Sequence, residues 1–379
     1  MRLRISYKYL FEYVSLLVMV GEVLYIWSFT RHLYYVVIFI LSFIIAANYG
    51  RSLLRNRYAL LILASQIWVT CSDFLNGEVH KENIFRFLSI FSLMCLINHH
   101  LKQGDRYIRT MRNFFLGLSA ADIVLVFYDL LHGTYSNADI GLLGHKNYHM
   151  IIYLIAVGLS VYCMEKEHKK QKGFLFISVL FLTVMIMALK SSASGVAAAF
   201  FLLCLILMPN GKSSVFNLYF VLIVDAIAFY FVIYRQYIGR LLTFLLLKMG
   251  RDVGFTGRSD MWLAGFDKMR EMPFYGYGNN VTVSFLDSRD HLLVNHVHNF
   301  ILHLLISGGW VYLILNILIF LYAAYYLKNE KSELGKIVFL LITAYLVIGQ
   351  TEILVGINNM LYPLLYMTIC IKKNRETYV

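Results

Sequence analysis

The stretch FILHLLISGGWVYLILNILIFLYAAYYL, residues 300–327, contains no Lys, Arg, Asp or Glu. At a rise of about 1.5 Å per residue, a helix of this length exceeds the ~30 Å hydrocarbon core of a bilayer. Across all 379 residues, 59% are hydrophobic and 15% are charged. A water-soluble domain cannot build a polar shell from that ratio. The sequence therefore predicts an integral membrane protein.

Apolar runs near the length of a membrane span recur along the whole chain. We identify twelve, at residues 10–29, 33–48, 58–75, 84–97, 114–131, 148–164, 174–189, 195–208, 215–234, 300–327, 337–349 and 353–371. Several runs are short, so counts of ten and eleven stay open. The predicted fold class is all-α, a polytopic transmembrane helical bundle of about 10–12 spans.

The basic residues indicate how this bundle sits in the membrane. Of the 34 Lys and Arg residues, 21 fall in the connections on one side, and four fall in the five short connections on the other. Lys and Arg collect in cytoplasmic connections, so both termini are predicted to be cytoplasmic. The formal net charge of +12 is then mostly a feature of topology, and it implies no nucleic-acid partner.

The N-terminus argues against a cleaved signal peptide, and the cysteines argue against disulfide-bonded and zinc-binding folds. The basic MRLRISYK and the apolar run after it lack a convincing small-residue cleavage site, so we expect a retained first helix. The five cysteines are scattered and have no CxxC spacing. This pattern supports neither a disulfide framework nor a thiolate zinc site.

One long connection divides the chain. We predict spans one to nine at residues 1–234, an extracytoplasmic loop with the functional motifs at 235–297, and the last three spans with a cytoplasmic tail at 298–379. Connections longer than about 15 residues are usually functional or disordered, and this one is too aromatic for disorder. Its SDMWLAGFDKMRE stretch has Trp262, Phe266 and Met269 at helical spacing, with Ser259 as a possible N-cap and Pro273 as a stop. We expect an amphipathic helix on the outer membrane surface.

Three motifs lie in or near the outer connections. His298 and Asn299, followed after nine residues by Gly309 and then Tyr312, form H-N-x9-G-x2-Y. GRSDMW at residues 257–262 precedes a Pro and a Gly-x-Gly, and GLLGHKN stands at residues 141–147. The first two resemble motifs of the O-antigen ligase and polysaccharide polymerase superfamily. The third is similar to a short motif of its capsule and exopolysaccharide polymerases.

The resemblance implies a bacterial glycosyltransferase that polymerises undecaprenyl-diphosphate-linked oligosaccharide repeat units at the outer face of the cytoplasmic membrane. A base must then take the acceptor's hydroxyl proton, and a cation must stabilise the diphosphate leaving group. Histidine titrates near neutral pH, and arginine binds phosphate oxygens at two points, so His298 and Arg258 are the predicted catalytic residues. The predicted substrate-binding residues are Asn299, Trp262, Lys190, Arg251, Lys146 and Asn147.

The resemblance also implies partners. These are the lipid-linked oligosaccharide, the bilayer, and possible association with a flippase and a chain-length regulator. Because the lipid diphosphate is itself the activated donor, we expect no nucleotide sugar and no cofactor. We also expect no metal, since His298 and His303 are five residues apart and no H-E-x-x-H pattern accompanies them.

The sequence departs from the family pattern at one point. Many members carry an arginine in a Ser-x-Ser-Arg-like stretch after the seventh span, whereas this chain reads LKSSASG, with Gly195 at the aligned position. Lys190 is the candidate for the missing charge.

Several residues allow two interpretations. Trp262 could stack on a sugar or anchor its helix at the membrane interface. Asp122 and Asp129, on one face of the fifth span, and Asp225, in the ninth, could either pair inside the bundle or bind sugar hydroxyls. The residues alone do not separate these alternatives.

Competing functions also stay open. A ligase of the same superfamily, which moves a finished glycan to another acceptor, shares the motifs. A twelve-span secondary transporter or a polysaccharide flippase is disfavoured because transporters usually show repeated halves, and no second half mirrors the late long loop. A non-catalytic scaffold leaves the motifs unexplained.

Overall fold

A computed structural model describes fifteen parts of the chain. They are residues 7–20, 28–77, 81–101, 104–133, 142, 146–167, 217–237, 243–244, 258–278, 283–286, 291–294, 297–328, 330, 332–350 and 358–376.

Helices make up nearly all of these residues. In chain order they are α1 (Tyr7–Val20), α2 (Ser28–Ile45), α3 (Arg51–Leu54), α4 (Arg57–Leu75), α5 (Lys81–His100), α6 (Arg106–His132), α7 (Lys146–Glu167), α8 (Leu218–Ala228), α9 (Arg258–Glu271), α10 (Phe300–Leu327), α11 (Glu333–Gly349) and α12 (Asn358–Glu376). Two π-helical segments, Ala46–Gly50 and Phe229–Tyr234, extend α2 and α8. The coarse prediction, a helical bundle embedded in a membrane, is confirmed.

The predicted spans can be compared with these helices one by one. Ten of the twelve runs fall wholly or partly on described helices, and the runs at 174–189 and 195–208 lie outside the described residues. Among the described helices, four are long and apolar enough to cross a membrane: Leu33–Leu54, Arg57–Leu75, Arg106–Asp129 and Phe300–Leu327. Which side of the membrane each connection occupies stays a prediction.

The all-α assignment needs one correction. Strands β1 (Val283–Leu286) and β2 (His291–Val294) form an antiparallel hairpin in the long connection, with Val283 opposite Val294 and Leu286 opposite His291. The four residues between them read DSRD, and Asp and Ser favour turns. Two four-residue strands are too short for a hydrophobic period to reveal them against an otherwise helical pattern.

Buried polar side chains join the helices that frame the site. The Tyr58 hydroxyl of α4 donates to the carbonyl oxygen of Ile319 in α10 at 3.0 Å. Asn56, which caps α4, donates to the Tyr366 hydroxyl of α12 at 3.2 Å, and Tyr366 donates to Asn98 of α5 at 3.0 Å. Each such bond inside a membrane bundle contributes about 0.6 kcal/mol. Together with apolar packing they hold α4, α5, α10 and α12 as one frame.

Candidate functional site

Asn299 fixes the point at which α10 begins. Its side-chain oxygen accepts from the backbone N–H of Leu302 at 2.9 Å, and its amide nitrogen donates to the carbonyl of Gln350 at 3.0 Å. The side chain is fully buried. Asn299 therefore caps α10 and links it to the end of α11, a role that the sequence prediction of substrate binding missed.

His298 occupies an unusual backbone position just before that cap. Its φ is +44°, in the left-handed region that few residues other than glycine adopt, although histidine is enriched among them. Val297 and Asn299 on either side are buried, whereas the His298 side chain is half-buried. The turn therefore places an imidazole at the start of α10, between two buried neighbours, where solvent reaches it.

Helix α9 carries Arg258 at its first residue. The apolar face of the helix, Met261, Trp262, Gly265 and Phe266, is buried. Trp262 and Phe266 share one hydrophobic cluster with Val297, Leu302 and Ile306. The predicted amphipathic helix is therefore present, and it ends before Pro273 as expected. Its buried face packs on α10, and the position of the helix on the outer membrane surface stays a prediction.

The same packing buries Trp262. Its side chain is 1% exposed and lies in the cluster between α9 and α10. The described contacts of the ring are therefore packing contacts between the two helices. Trp262 joins the helix that carries Arg258 to the helix that follows His298.

The helix that begins at Arg258 packs against the residue next to His298. A Cβ atom on Gly265 would lie 2.9 Å from the Val297 side chain, so α9 lies close to Val297 there. Arg258 precedes Gly265 by seven residues, or about 10 Å along the helix axis. The Arg258 side chain is half-buried. Each of the two predicted catalytic residues thus lies at the N-terminus of a helix, and the helix that begins at Arg258 packs against Val297, next to His298.

Helix α10 is broken inside the segment that the sequence predicts as one continuous span. Gly308 has φ −136° and ψ 15°, and Gly309 has φ 64° and ψ −163°, so neither is helical. A break exposes backbone carbonyls that hydrocarbon cannot satisfy. The carbonyl of Ile306 accepts from the N–H of Tyr277 at 2.9 Å, and that of Ser307 accepts from the N–H of Gly278 at 2.7 Å. The loop after α9 therefore completes the hydrogen bonding of the broken helix.

The loop at residues 273–278 needs glycine for this contact. Gly276 has φ +68°, and a Cβ there would lie 2.5 Å from the carbonyl oxygen of Ile306. In return, the N–H of Trp310 donates to the carbonyl of Pro273 at 2.8 Å. The Gly-x-Gly motif upstream and the Gly309 of H-N-x9-G-x2-Y are thus two sides of one contact.

We expect Gly309→Ala to destabilise the protein by at least about 2 kcal/mol, because a side chain strains φ +64° and would overlap the backbone of Phe274. Thermal unfolding of the detergent-purified protein measures this loss. The matched control is Gly117→Ala, at an exposed position of α6 with no atom within 4 Å of the added Cβ. There alanine should be neutral or stabilising by up to about 1 kcal/mol. Equal stability of the two variants would contradict the proposed role of the break.

A second set of contacts fixes the loop to the end of α9. Glu271 accepts from Lys268 at 2.8 Å and from the Tyr277 hydroxyl at 2.5 Å. The Lys268 ammonium also lies 4.2 Å from the centre of the Tyr277 ring. The hydrogen bonds from Lys268 and Tyr277 lower the pKa of the Glu271 carboxyl below its usual range. These groups are partly exposed, so each contact adds little stability, but together they set the direction of the loop.

Asp122 contacts the GLLGHKN segment at Leu142. Both oxygens of this fully buried carboxylate are used: one accepts from the N–H of Leu142 at 2.7 Å, and the other accepts from the Tyr153 hydroxyl at 2.5 Å and lies 2.6 Å from Nδ1 of His149. Asp122 therefore anchors the start of α7 to α6. This arrangement favours the packing interpretation over direct binding of sugar.

The remaining predicted residues lie in α7, in α8 or outside the described residues. Lys146 and Asn147 lie in the first turn of α7, while Lys190, Gly195 and Arg251 lie outside the described residues. Asp225 accepts from the side-chain amide of Gln350 at 2.6 Å, which joins α8 to the end of α11. This contact also favours pairing inside the bundle. Within the described part of the chain, no group of three or more His, Cys, Asp or Glu residues could hold a metal ion.

Sequence reasoning missed the contribution of α4. Trp68, Ser72 and Asn76 are four residues apart and donate hydrogen bonds to the broken segment of α10 or to the loop after α9. Their spacing puts them on one helix face. A stripe of donors at i, i+4 and i+8 along an otherwise apolar run was the available signal.

Comparison with known proteins gives one match. Residues 176–317 match a family model described as O-antigen ligase. The matched segment includes α9, the hairpin, both predicted catalytic residues and the first half of α10, and it confirms the resemblance to the ligase and polymerase superfamily. No curated protein and no solved structure matches the chain.

Proposed function

We propose, from the match of residues 176–317 of this membrane protein to a family model described as O-antigen ligase, that it polymerises undecaprenyl-diphosphate-linked oligosaccharide repeat units. The product would be a capsular, exo- or O-antigen polysaccharide. The reaction would take place on the 235–297 loop and the start of α10, at the extracytoplasmic face of a bacterial inner membrane. The observation that carries the proposal is that α9, which begins at Arg258, packs through Trp262 and Phe266 on Val297, the residue next to His298.

The proposed step is a glycosyl transfer without a covalent enzyme intermediate. An acceptor hydroxyl oxygen bonds to the anomeric carbon of the donor as the bond from that carbon to the diphosphate oxygen breaks. The hydroxyl proton passes to the His298 imidazole, and undecaprenyl diphosphate leaves as the anion. Proton transfer to a positioned base and stabilisation of the leaving anion are the two demands of this chemistry.

The positions of the two side chains suit these roles. Arg258 is the first residue of α9, and His298 directly precedes the cap of α10. The N-terminus of a helix carries a partial positive charge and free N–H groups, which favour an anion such as a phosphate. An arginine at such a point adds a planar fork that binds two phosphate oxygens. Both features support a diphosphate at this place.

Further residues are proposed to bind substrate. Lys146 and Asn147 at the start of α7 would contact the glycan, and Lys190 and Arg251 would add positive charge for the diphosphate. Asn299 and Trp262 are left out of this set because both side chains are buried in packing contacts. A flippase and a chain-length regulator are proposed partners from the family resemblance.

The alternative is a ligase, which the description of the matching family favours. The similarity of GLLGHKN to a polymerase motif favours polymerisation. The two reactions leave different lipid-linked products when the protein is absent, so the products in a deletion strain distinguish them.

We expect a deletion strain to accumulate single lipid-linked repeat units and the wild-type gene to restore long chains. The measurement is the length of lipid-linked and released glycans by gel and mass analysis, with membrane levels of the protein checked. Long lipid-linked chains that remain unattached in the deletion strain would establish the ligase instead. Repeats trapped on the cytoplasmic leaflet would point to a flippase and would contradict both transferase functions.

A further inference from the structure

The end of α4 touches both parts of the candidate site. Trp68, Ser72 and Asn76, here called the α4 clamp, lie on one face of the last turns of α4 and just beyond it. They lie a hundred residues or more before the segment that matches the O-antigen ligase family. We infer that the α4 clamp positions the Arg258 helix relative to His298, and that its members are positioning residues for glycan transfer.

The first half of the clamp acts on α10. The indole N–H of Trp68 donates to the carbonyl of Gly308 at 2.8 Å, and the Ser72 hydroxyl lies 3.1 Å from the carbonyl of Ser307. Both carbonyls belong to the turn where α10 breaks. The clamp therefore holds the C-terminal end of the segment Phe300–Ser307. His298 lies just before the N-terminal end of this segment.

The second half acts on the loop that follows the Arg258 helix. The Asn76 amide donates to the carbonyl of Gly276 at 2.9 Å, and the Ser72 hydroxyl also contacts the carbonyl of Tyr275. That loop is fixed in turn to the end of α9 by Glu271 and Tyr277. One short stretch of α4 thus holds the two chain segments that carry Arg258 and His298.

The physical reason for a clamp follows from the break in α10. A helix without i to i−4 bonds at Gly308 and Gly309 has no intrinsic angle between its halves, so the angle depends on what binds the freed carbonyls. Here both the α4 clamp and the loop donate hydrogen bonds to the freed carbonyls. Because a displacement of about 1 Å can cost about 100-fold in rate, a small rotation of either half should reduce catalysis without abolishing folding.

This inference rests on the proposed transferase function, and its test uses the full-length protein with a lipid-diphosphate-linked repeat unit as donor. The variant is Asn76→Ala, and the matched control is Asn48→Ala. Each asparagine donates to the carbonyl four residues earlier in its own helix, at 2.7 Å for Asn76 and 2.8 Å for Asn48. Of these two, Asn76 also reaches the loop.

We expect Asn76→Ala to lower kcat per folded molecule about tenfold to a hundredfold, with the KM for donor changed less than about twofold. Asn48→Ala should retain the wild-type kcat. In an Arg258→Ala background, Asn76→Ala should add little further loss, because the clamp acts through the placement of Arg258. A lower unfolding temperature with an unchanged kcat would overturn the inference and leave only a stabilising contact.

Hydrogen exchange gives a readout that does not depend on activity. Loss of the clamp should raise the exchange of backbone amides at residues 276–278 and 306–310, and Asn48→Ala should not. Unchanged exchange there would overturn the inference even if activity fell. Absence of any transfer by the wild-type protein would instead count against the proposed function, so the two failures are distinguishable.

Discussion

The His298→Asn variant is expected to lose about 100-fold to 10,000-fold of the transfer rate while folding normally. That range is the usual contribution of a positioned general base. Asparagine is chosen because it tolerates the left-handed φ of +44° at this position and keeps a polar side chain, but it cannot accept a proton near neutral pH. The loss would then report on chemistry and not on the turn.

The measurement is the initial rate of repeat-unit joining by purified protein, with the folded fraction determined by thermal unfolding. His132→Asn is the matched control, since His132 lies exposed at the end of α6 and contacts the carbonyl of Tyr128 at 2.9 Å. It should retain the wild-type rate. A folded His298→Asn protein that joins repeat units at the wild-type rate would eliminate His298 as the base.

Replacement of Arg258 should give the second large loss, and its size should depend on the substituent. Arg258→Ala removes both the charge and the donors, and a loss of about 100-fold to 1,000-fold is typical when one group that stabilises a developing anion is removed. Arg258→Lys keeps the charge but lacks the planar fork, so we expect an intermediate loss of about tenfold.

The same helix supplies the control for this prediction. Arg270 is exposed, and its guanidinium pairs with Asp267 at 2.6 Å, on the last turn of α9. Arg270→Ala should leave the rate unchanged, because exposed ion pairs contribute little. Rates are again measured per folded molecule with the lipid-linked donor. If Arg258→Ala and Arg270→Ala had the same rate, diphosphate stabilisation by Arg258 would be excluded.

Some features of the protein depend on local composition alone, and the sequence predicts these well. A membrane span is a run of apolar residues of a given length, so ten of the twelve predicted spans fall wholly or partly on described helices. Helix α9 was predicted from its apolar spacing and its stop at Pro273. The motif pattern led to the superfamily, which the match over residues 176–317 supports.

Other features depend on which distant residues meet, and these were not predicted. The burial of Trp262 and Asn299 follows from helix packing, and the spacing of residues along the chain does not determine it. The hairpin at residues 283–294 is too short for its pattern to stand out. In each case, the local sequence pattern is compatible with several environments. The segment that packs against it determines which environment occurs.

The break in α10 is the clearest feature that depends on contacts between distant residues. Hydropathy records the transfer energy of side chains, so residues 300–327 read as one continuous apolar span. The backbone at Gly308 and Gly309 departs from the helix because donors on α4 and on the loop after α9 satisfy its carbonyls. Trp68 and Gly308 are 240 positions apart in the chain. The sequence by itself determined a membrane-embedded helical protein with His298 at the threshold of a span, and only tertiary hydrogen bonding decided where that span breaks and how the loop after α9 contacts it.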